Sequence, residues 1–181
     1  MALEVLTLIG ALAILAAVAL YTLSTGVPPT PTSATVRDTI LTVLPADPEG
    51  VVYDAGSGFG TFAAALARRY PRHRVVGIEV SPLPWLIARL HNYIAGHINL
   101  TFRRADLRSV GFDDAGLVLC YLSGPAVIAL KEKLEAAAPP ECVVVSNTFA
   151  VPGWTAERVV TAPDLYATKV YVYRMATAPA G

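Results

Sequence analysis

The residues Asp54-Ala55-Gly56-Ser57-Gly58-Phe59-Gly60 set three glycines at alternate positions behind an acid. Glycine permits a tight turn and lets the backbone come close to a ligand. The acid narrows the choice of ligand. A carboxylate here repels a pyrophosphate and suits a cationic amino-acid group. Nineteen residues after Gly60 stands Glu79, and Asp106 follows further on. An acid at the position of Glu79 accepts hydrogen bonds from ribose hydroxyls. Asp106, with Leu107 beside it, can meet an adenine amino group. One such acid is weak evidence, because strand-end acids often cap helices. Three in succession describe a site that binds a cation, a ribose and an adenine, as S-adenosylmethionine requires.

These residues need elements to hold them on one edge. Short apolar runs alternate with helical periodicity along the chain. Strands are expected at Val51–Asp54, Arg74–Val80, Leu100–Arg103, Leu117–Leu122 and Cys142–Ser146. Helices are expected at Phe62–Arg69, Leu83–Ile94 and Ala126–Ala138. An earlier helix is marked by Val36, Ile40, Leu41 and Leu44, with Ser33 as N-cap and Pro45 as stop. This alternation predicts an α/β, Rossmann-like, mostly parallel sheet covered by helices. Glu157–Thr161 and Ala167–Arg174 have no helix between them, so they predict an antiparallel C-terminal hairpin. The acids then fall at the carboxyl ends of successive strands, where such sheets bind ligands. Asp54, Gly56, Ser57, Gly58, Gly60, Glu79, Asp106 and Leu107 form the expected cofactor set.

The pattern from about Ser33 to Met175 resembles the class I S-adenosylmethionine-dependent methyltransferases. A narrower stretch resembles the membrane-anchored protein-lysine methyltransferases of the ATP synthase c-subunit and adenine nucleotide translocase type. It rests on Val27-Pro28-Pro29-Thr30-Pro31-Thr32-Ser33 before the first helix, and on Glu79-Val80-Ser81-Pro82-Leu83-Pro84-Trp85. The third match is Asn147-Thr148-Phe149-Ala150-Val151-Pro152-Gly153-Trp154. The resemblance implies S-adenosylmethionine as cofactor and a protein lysine as acceptor. Phe59 and Thr61 depart from that family, which usually has an acid and then Arg at these positions. Cys120-Tyr121-Leu122-Ser123-Gly124-Pro125 lacks the Asn/Asp-Pro-Pro-aromatic signature of amide and nucleobase N-methyltransferases.

The residues after the fourth and fifth strands supply the acceptor-side candidates Tyr121, Ser123, Asn147, Phe149 and Trp154. Aromatic walls suit a methyl-accepting amine. Each has a plainer role open to it. Trp154 can pack a loop against the sheet, Tyr121 can be an ordinary strand residue, and Asn147 can cap a turn. No catalytic acid or base is assigned, because a sulfonium already carries a good leaving group. Arg68, Arg69, Arg72, His73 and Arg74 form a basic cluster, either a solvated helix end or a lipid contact.

The chain has 181 residues, with 14 Lys plus Arg against 14 Asp plus Glu. A net charge of zero argues against nucleic acid as partner. Mean hydropathy is high at +0.51. Much of it sits in Val5–Leu23, 19 residues without a charge. At about 1.5 Å per residue this spans about 28 Å, close to a bilayer core. The expected organisation is a transmembrane anchor at 1–24, a Pro/Ser/Thr-rich connector at 25–35 and a methyltransferase domain at 36–181. A secretory signal peptide is the rival reading, though a basic n-region is lacking. Glu4 before the stretch and Arg37 after it favour a single-pass protein with its domain in the cytoplasm. Cys120 and Cys142 lie in apolar runs and are expected as core thiols. His73, His91 and His97 show no metal-ligand spacing, so no metal is expected.

Overall fold

The computed structural model describes residues 4, 5, 7, 8 and 32–176. The chain divides into two units, Met1–Pro31 and Thr32–Gly181. Among the described residues no helix is long and apolar enough to cross a membrane. The expected span at Val5–Leu23 lies outside the described residues, apart from Val5, Thr7 and Leu8.

The second unit opens with helix α1, Ala34–Val43. Ser33 caps it, its Oγ accepting from the Val36 N–H at 3.3 Å. The helix starts at Ala34, so Ala34 and Thr35 belong to it and not to the connector expected at 25–35. Then follow β1 (Val51–Ala55), α2 (Thr61–Arg69), β2 (Val75–Glu79), α3 (Pro82–Ala95) and β3 (Leu100–Arg104). A 3-10 turn at Leu107–Ser109 leads to β4 (Ala115–Cys120), α4 (Pro125–Ala137), β5 (Val143–Asn147), β6 (Arg158–Thr161) and β7 (Lys169–Arg174).

The sheet order is β3-β2-β1-β4-β5-β7-β6. The first five strands run parallel, and β7 is antiparallel to both β5 and β6. The expected Rossmann-like sheet and its reversed C-terminal pair are both present, with β7 wedged between β5 and β6. Strands β1, β2, β4 and β5 are buried along their whole length. That is why they read as continuous Val-rich runs and not as alternating patterns. One sheet face packs Val52, Val75 and Leu117 against Ile40 of α1 and Leu66 of α2. The other packs Tyr53, Val76 and Val118 against Leu130 and Leu134 of α4.

Strand β4 starts earlier and stops earlier than its apolar run suggested. Its last ladder partner on β1 is Ala55, opposite Cys120. Because β1 turns into the glycine loop after Ala55, Tyr121 and Leu122 leave the sheet. The order reverses at β1, which has β2 on one side and β4 on the other. This opens a crevice at the carboxyl ends.

Asn99 locks the entry to β3. Its side-chain amide donates to the carbonyls of Ala67, Tyr70 and His73 at 3.0–3.1 Å. Those carbonyls end α2 and begin the turn after it, so one side chain ties the helix end to the sheet edge. Asn99→Ala should lower unfolding free energy by about 1–3 kcal/mol, since it strands part-buried carbonyls. Chemical denaturation with an unchanged m-value checks this.

Candidate functional site

The glycine loop is built against the end of β2. The N–H groups of Gly56 and Ser57 both donate to the Ile78 carbonyl, at 2.9 and 2.8 Å. Gly60 then donates to the Ser57 carbonyl at 2.8 Å, closing the turn into α2. Gly56, Gly58 and Gly60 have φ of 80°, 52° and 79°, the left-handed region where glycine is at ease. At two of them a Cβ would also press on a neighbouring side chain. A Cβ on Gly60 would stand 2.5 Å from the Phe102 ring and 2.9 Å from Ala88. A Cβ on Gly56 would stand 2.7 Å from Leu122. A Cβ on Gly58 would have nothing within 4 Å, so that side of the loop faces open space.

Two acids anchor this loop. Asp54 is only 5% exposed, and its Oδ2 is buried with no hydrogen-bond partner in the protein. Burial pushes its pKa up to about 7; the nearby Glu79 charge adds to the rise and the Ala63 N–H works against it. Ser57 Oγ is likewise buried without a partner. A buried carboxyl without a partner cation is costly, and a ligand ammonium would answer it. Glu79 is 2% exposed. Its Oε2 accepts from the Gly58 N–H at 2.9 Å and its Oε1 from the Ser81 N–H at 2.8 Å. Each oxygen keeps a further acceptor position for a ribose hydroxyl. The residues present thus fit S-adenosylmethionine at its amino-acid end and at its ribose.

Asp106 lies one strand further along. Its two oxygens accept from the backbone N–H and the guanidinium of Arg108, at 2.9 and 3.1 Å. It therefore caps the 3-10 turn, as the plainer reading allowed. It also borders an open hollow of about 290 Å³ lined by Val80, Arg104 and Ala105. Leu107 is buried with Val110 and Phe112 on the α4 side of the sheet. Its side chain belongs to the core, so any ligand contact falls to its backbone.

On the acceptor side the structure brings two candidates together. Tyr121 and Phe149 stack with ring centroids 5.8 Å apart and planes at 17°. Ser146 fixes the second ring's segment, its Oγ donating to the Phe149 carbonyl at 2.5 Å. Asn147 is buried at the end of β5 and accepts from the Thr148 hydroxyl at 3.1 Å. Ser123 sits half-buried in the loop after β4. Trp154 is held elsewhere. Its indole N–H donates to Glu135 of α4 at 2.7 Å, and its ring meets Tyr173 edge-on at 5.3 Å. It packs the β5–β6 loop onto the sheet.

Sequence reading missed the apolar residues that shape the loop. Phe102 and Ala88 roof Gly60, and Leu122 covers Gly56. Only the pairing register, which no local motif carries, reveals them. Val80 and Arg104 at the hollow were missed for the same reason. Cys120 and Cys142 are buried free thiols, and burial pushes their pKa values up to about 11 and about 12. Among the described residues no cluster of three His, Cys, Asp or Glu could hold a metal ion.

Residues 54–158 match the family model described as the ANTKMT methyltransferase domain, more than half of the chain. The adenine nucleotide translocase lysine N-methyltransferase of Mus musculus is 34% identical over 131 residues, covering 71% of this chain and 56% of the relative. The chain thus spans just over half the length of that relative. A protein-lysine N-methyltransferase of Saccharolobus islandicus (strain REY15A) is 26% identical over 141 residues, 76% of this chain and 86% of that one. Among solved structures, an RNA methyltransferase from Salinibacter ruber in complex with S-adenosyl-L-homocysteine superposes with a TM-score of 0.70 at 31% identity. The match covers 82% of this chain and 95% of that structure.

The glycines separate two effects. Gly60→Ala should unfold or strongly destabilise the domain, because the new Cβ meets Phe102 and Ala88. Gly58→Ala should stay folded with about 1–2 kcal/mol of left-handed strain, yet lose S-adenosylmethionine binding. Thermal unfolding and calorimetry, run side by side, check this pair.

The Asp54 carboxyl makes binding depend on pH. A cationic group needs the ionised form, and the pKa of about 7 keeps half the free sites protonated at that pH. Affinity should therefore fall about tenfold per pH unit below 7. Asp54→Asn should bind weakly at every pH and show no such slope.

Proposed function

We infer the activity from one premise, that this chain belongs to the ANTKMT methyltransferase domain family. We propose that it transfers a methyl group from S-adenosylmethionine to a lysine of a membrane or membrane-adjacent protein. When bound, that cofactor supplies a methyl group on a sulfonium, an electrophile that needs no acid to expel its leaving group. The chain must then bind, orient, exclude water and keep the amine neutral. Asp54 would hold the ammonium end and Glu79 the ribose. Asp106 would stand at the hollow where the adenine would lie. Gly56, Gly58 and Gly60 let the backbone come close between them.

One observation carries the acceptor reading. The stacked pair Tyr121 and Phe149 follows β4 and β5, on the same sheet edge as Asp54 and Glu79. Flat aromatic faces attract a cationic amine to the site, and an apolar channel lowers its pKa so that it reacts as the free base. The names of two curated relatives, each a lysine methyltransferase, favour the same acceptor.

The tether is read from the 19 charge-free residues Val5–Leu23 and the Pro-rich connector after them. Glu4 ahead of the stretch and Arg37 behind it favour a domain on the cytoplasmic side. A tether raises the effective concentration of a membrane substrate.

The full chain, incubated with methyl-labelled S-adenosylmethionine and a membrane fraction, tests the reading. Label should appear as methyl-lysine after acid hydrolysis of the protein, and Asp54→Asn should abolish it. Label in RNA, as the Salinibacter ruber relative's name would suggest, overturns it. So does label in the quinone or lipid fraction. Cofactor binding without any transfer would instead mark a fold used only as an interaction module. Tyr121→Ala and Phe149→Ala should each cut turnover about ten- to a hundredfold while leaving cofactor affinity near the parent value.

A further inference from the structure

The outward face of α3 is apolar along its length. Leu83, Leu86, Leu90, Tyr93 and Ile94 recur at helical spacing and are 54–86% exposed, and Ile98 just beyond is fully exposed. Val80 stands exposed just before the helix. Between residues 32 and 176 these account for seven of the eleven large exposed hydrophobics. The inward face is already satisfied, with Pro84 and Ala88 buried and Trp85 donating to the Phe102 carbonyl at 3.3 Å. A concentration of this kind marks a surface that meets something else.

Charge identifies what it meets. From Val80 to Ala105 there is no Asp or Glu, while Arg89, Arg103 and Arg104 are all exposed. Two of these lie on β3, the edge strand next to α3. An apolar helix face bordered by cations and free of acids is the pattern of a helix lying in a lipid interface. A second copy of the chain is disfavoured, because a two-fold contact would set Arg89 near its own symmetry mate.

Chain length points the same way. Only ten residues, 24–33, separate the charge-free stretch from α1. Fully extended they reach about 35 Å. On the tether reading, a connector of that length keeps a domain with a radius of gyration near 15 Å close to the bilayer.

We propose that α3, with Ile98 and the arginines of α3 and β3, is an interfacial face that lies on an anionic lipid bilayer. This rests on the tether reading above and deepens it. The face begins at Val80, directly after Glu79, so docking brings the cofactor crevice to the membrane surface. The substrate lysine is then one held at the headgroup level. The basic cluster at the end of α2 is not needed for this. His73 there pairs with Asp47 at 3.1 Å and Arg69 lies over the Tyr70 ring at 5.6 Å.

The test uses the full chain reconstituted in phosphatidylserine/phosphatidylcholine vesicles that carry spin-labelled lipid. A fluorophore is placed at Leu90→Cys, and for control at Val159→Cys on β6, the opposite sheet edge. The proposal predicts several-fold stronger quenching at position 90 than at 159. Arg89→Gln and Arg103→Gln should each lower the docked-to-free ratio about fivefold at low salt, the equivalent of about 1 kcal/mol per basic residue. Alkaline carbonate extraction reports the tether separately. A chain that resists extraction but shows equal quenching at both positions keeps the tether and overturns the docking face. A chain that is extracted loses the tether reading, and quenching in anionic vesicles still decides the face. Disulfide-linked dimers through Leu90→Cys without quenching overturn it in favour of a second copy.

Discussion

A carboxyl buried at the end of a central strand sets the terms for everything around it. Asp54 stands where β1 leaves the sheet, flanked by β2 and β4, with one oxygen unmatched by any protein donor. Burial removes most of its hydration, and Glu79 nearby makes ionisation harder still. Such a group costs the fold stability unless a cation arrives. The sheet tolerates it because β1, β2, β4 and β5 are otherwise a continuous Val-rich core. The fold thus stores, in one side chain, a preference for a cationic ligand.

The second carboxylate converts that preference into a shaped site. Glu79 holds the Gly58 N–H with one oxygen and the Ser81 N–H with the other. The glycine loop after β1 and the start of α3 after β2 are thereby fixed to the same residue. Phe102 and Ala88, from β3 and α3, close over Gly60 and leave no room for a side chain. Three strand ends are therefore held to one another. If α3 rests on a bilayer, the force that orients the domain acts on the helix that Glu79 holds.

Much of this was legible in the residues. The acids, the alternate glycines and the strand-helix alternation were local patterns, and the structure places them at adjoining strand ends. Ser33 caps α1 as its type and spacing implied, because N-cap chemistry is decided within four residues. What failed to show was what depends on register. Phe102, Leu122 and Arg104 reach the site only because β3 and β4 pair with β2 and β1 in particular alignments. Of the two roles open to Trp154, the structure shows the loop-packing one, with Glu135 of α4 accepting from its indole N–H. Leu107 looked like a cofactor contact, but a core on the α4 side claims its side chain. The outward face of α3 was hidden by its own composition. A helix apolar on both sides reads as a core helix until the sheet order puts it at the edge.

The central claim is that Asp54 titrates near neutrality in the free protein and is held ionised by a ligand cation. Carboxyl carbon-13 NMR of the full chain, titrated with and without S-adenosylhomocysteine, tests it most directly. The account predicts a midpoint near 7 for Asp54 in the free protein, with the group ionised across the same range once ligand is bound. A free-protein midpoint near the ordinary value of about 4, unchanged by ligand, would contradict it.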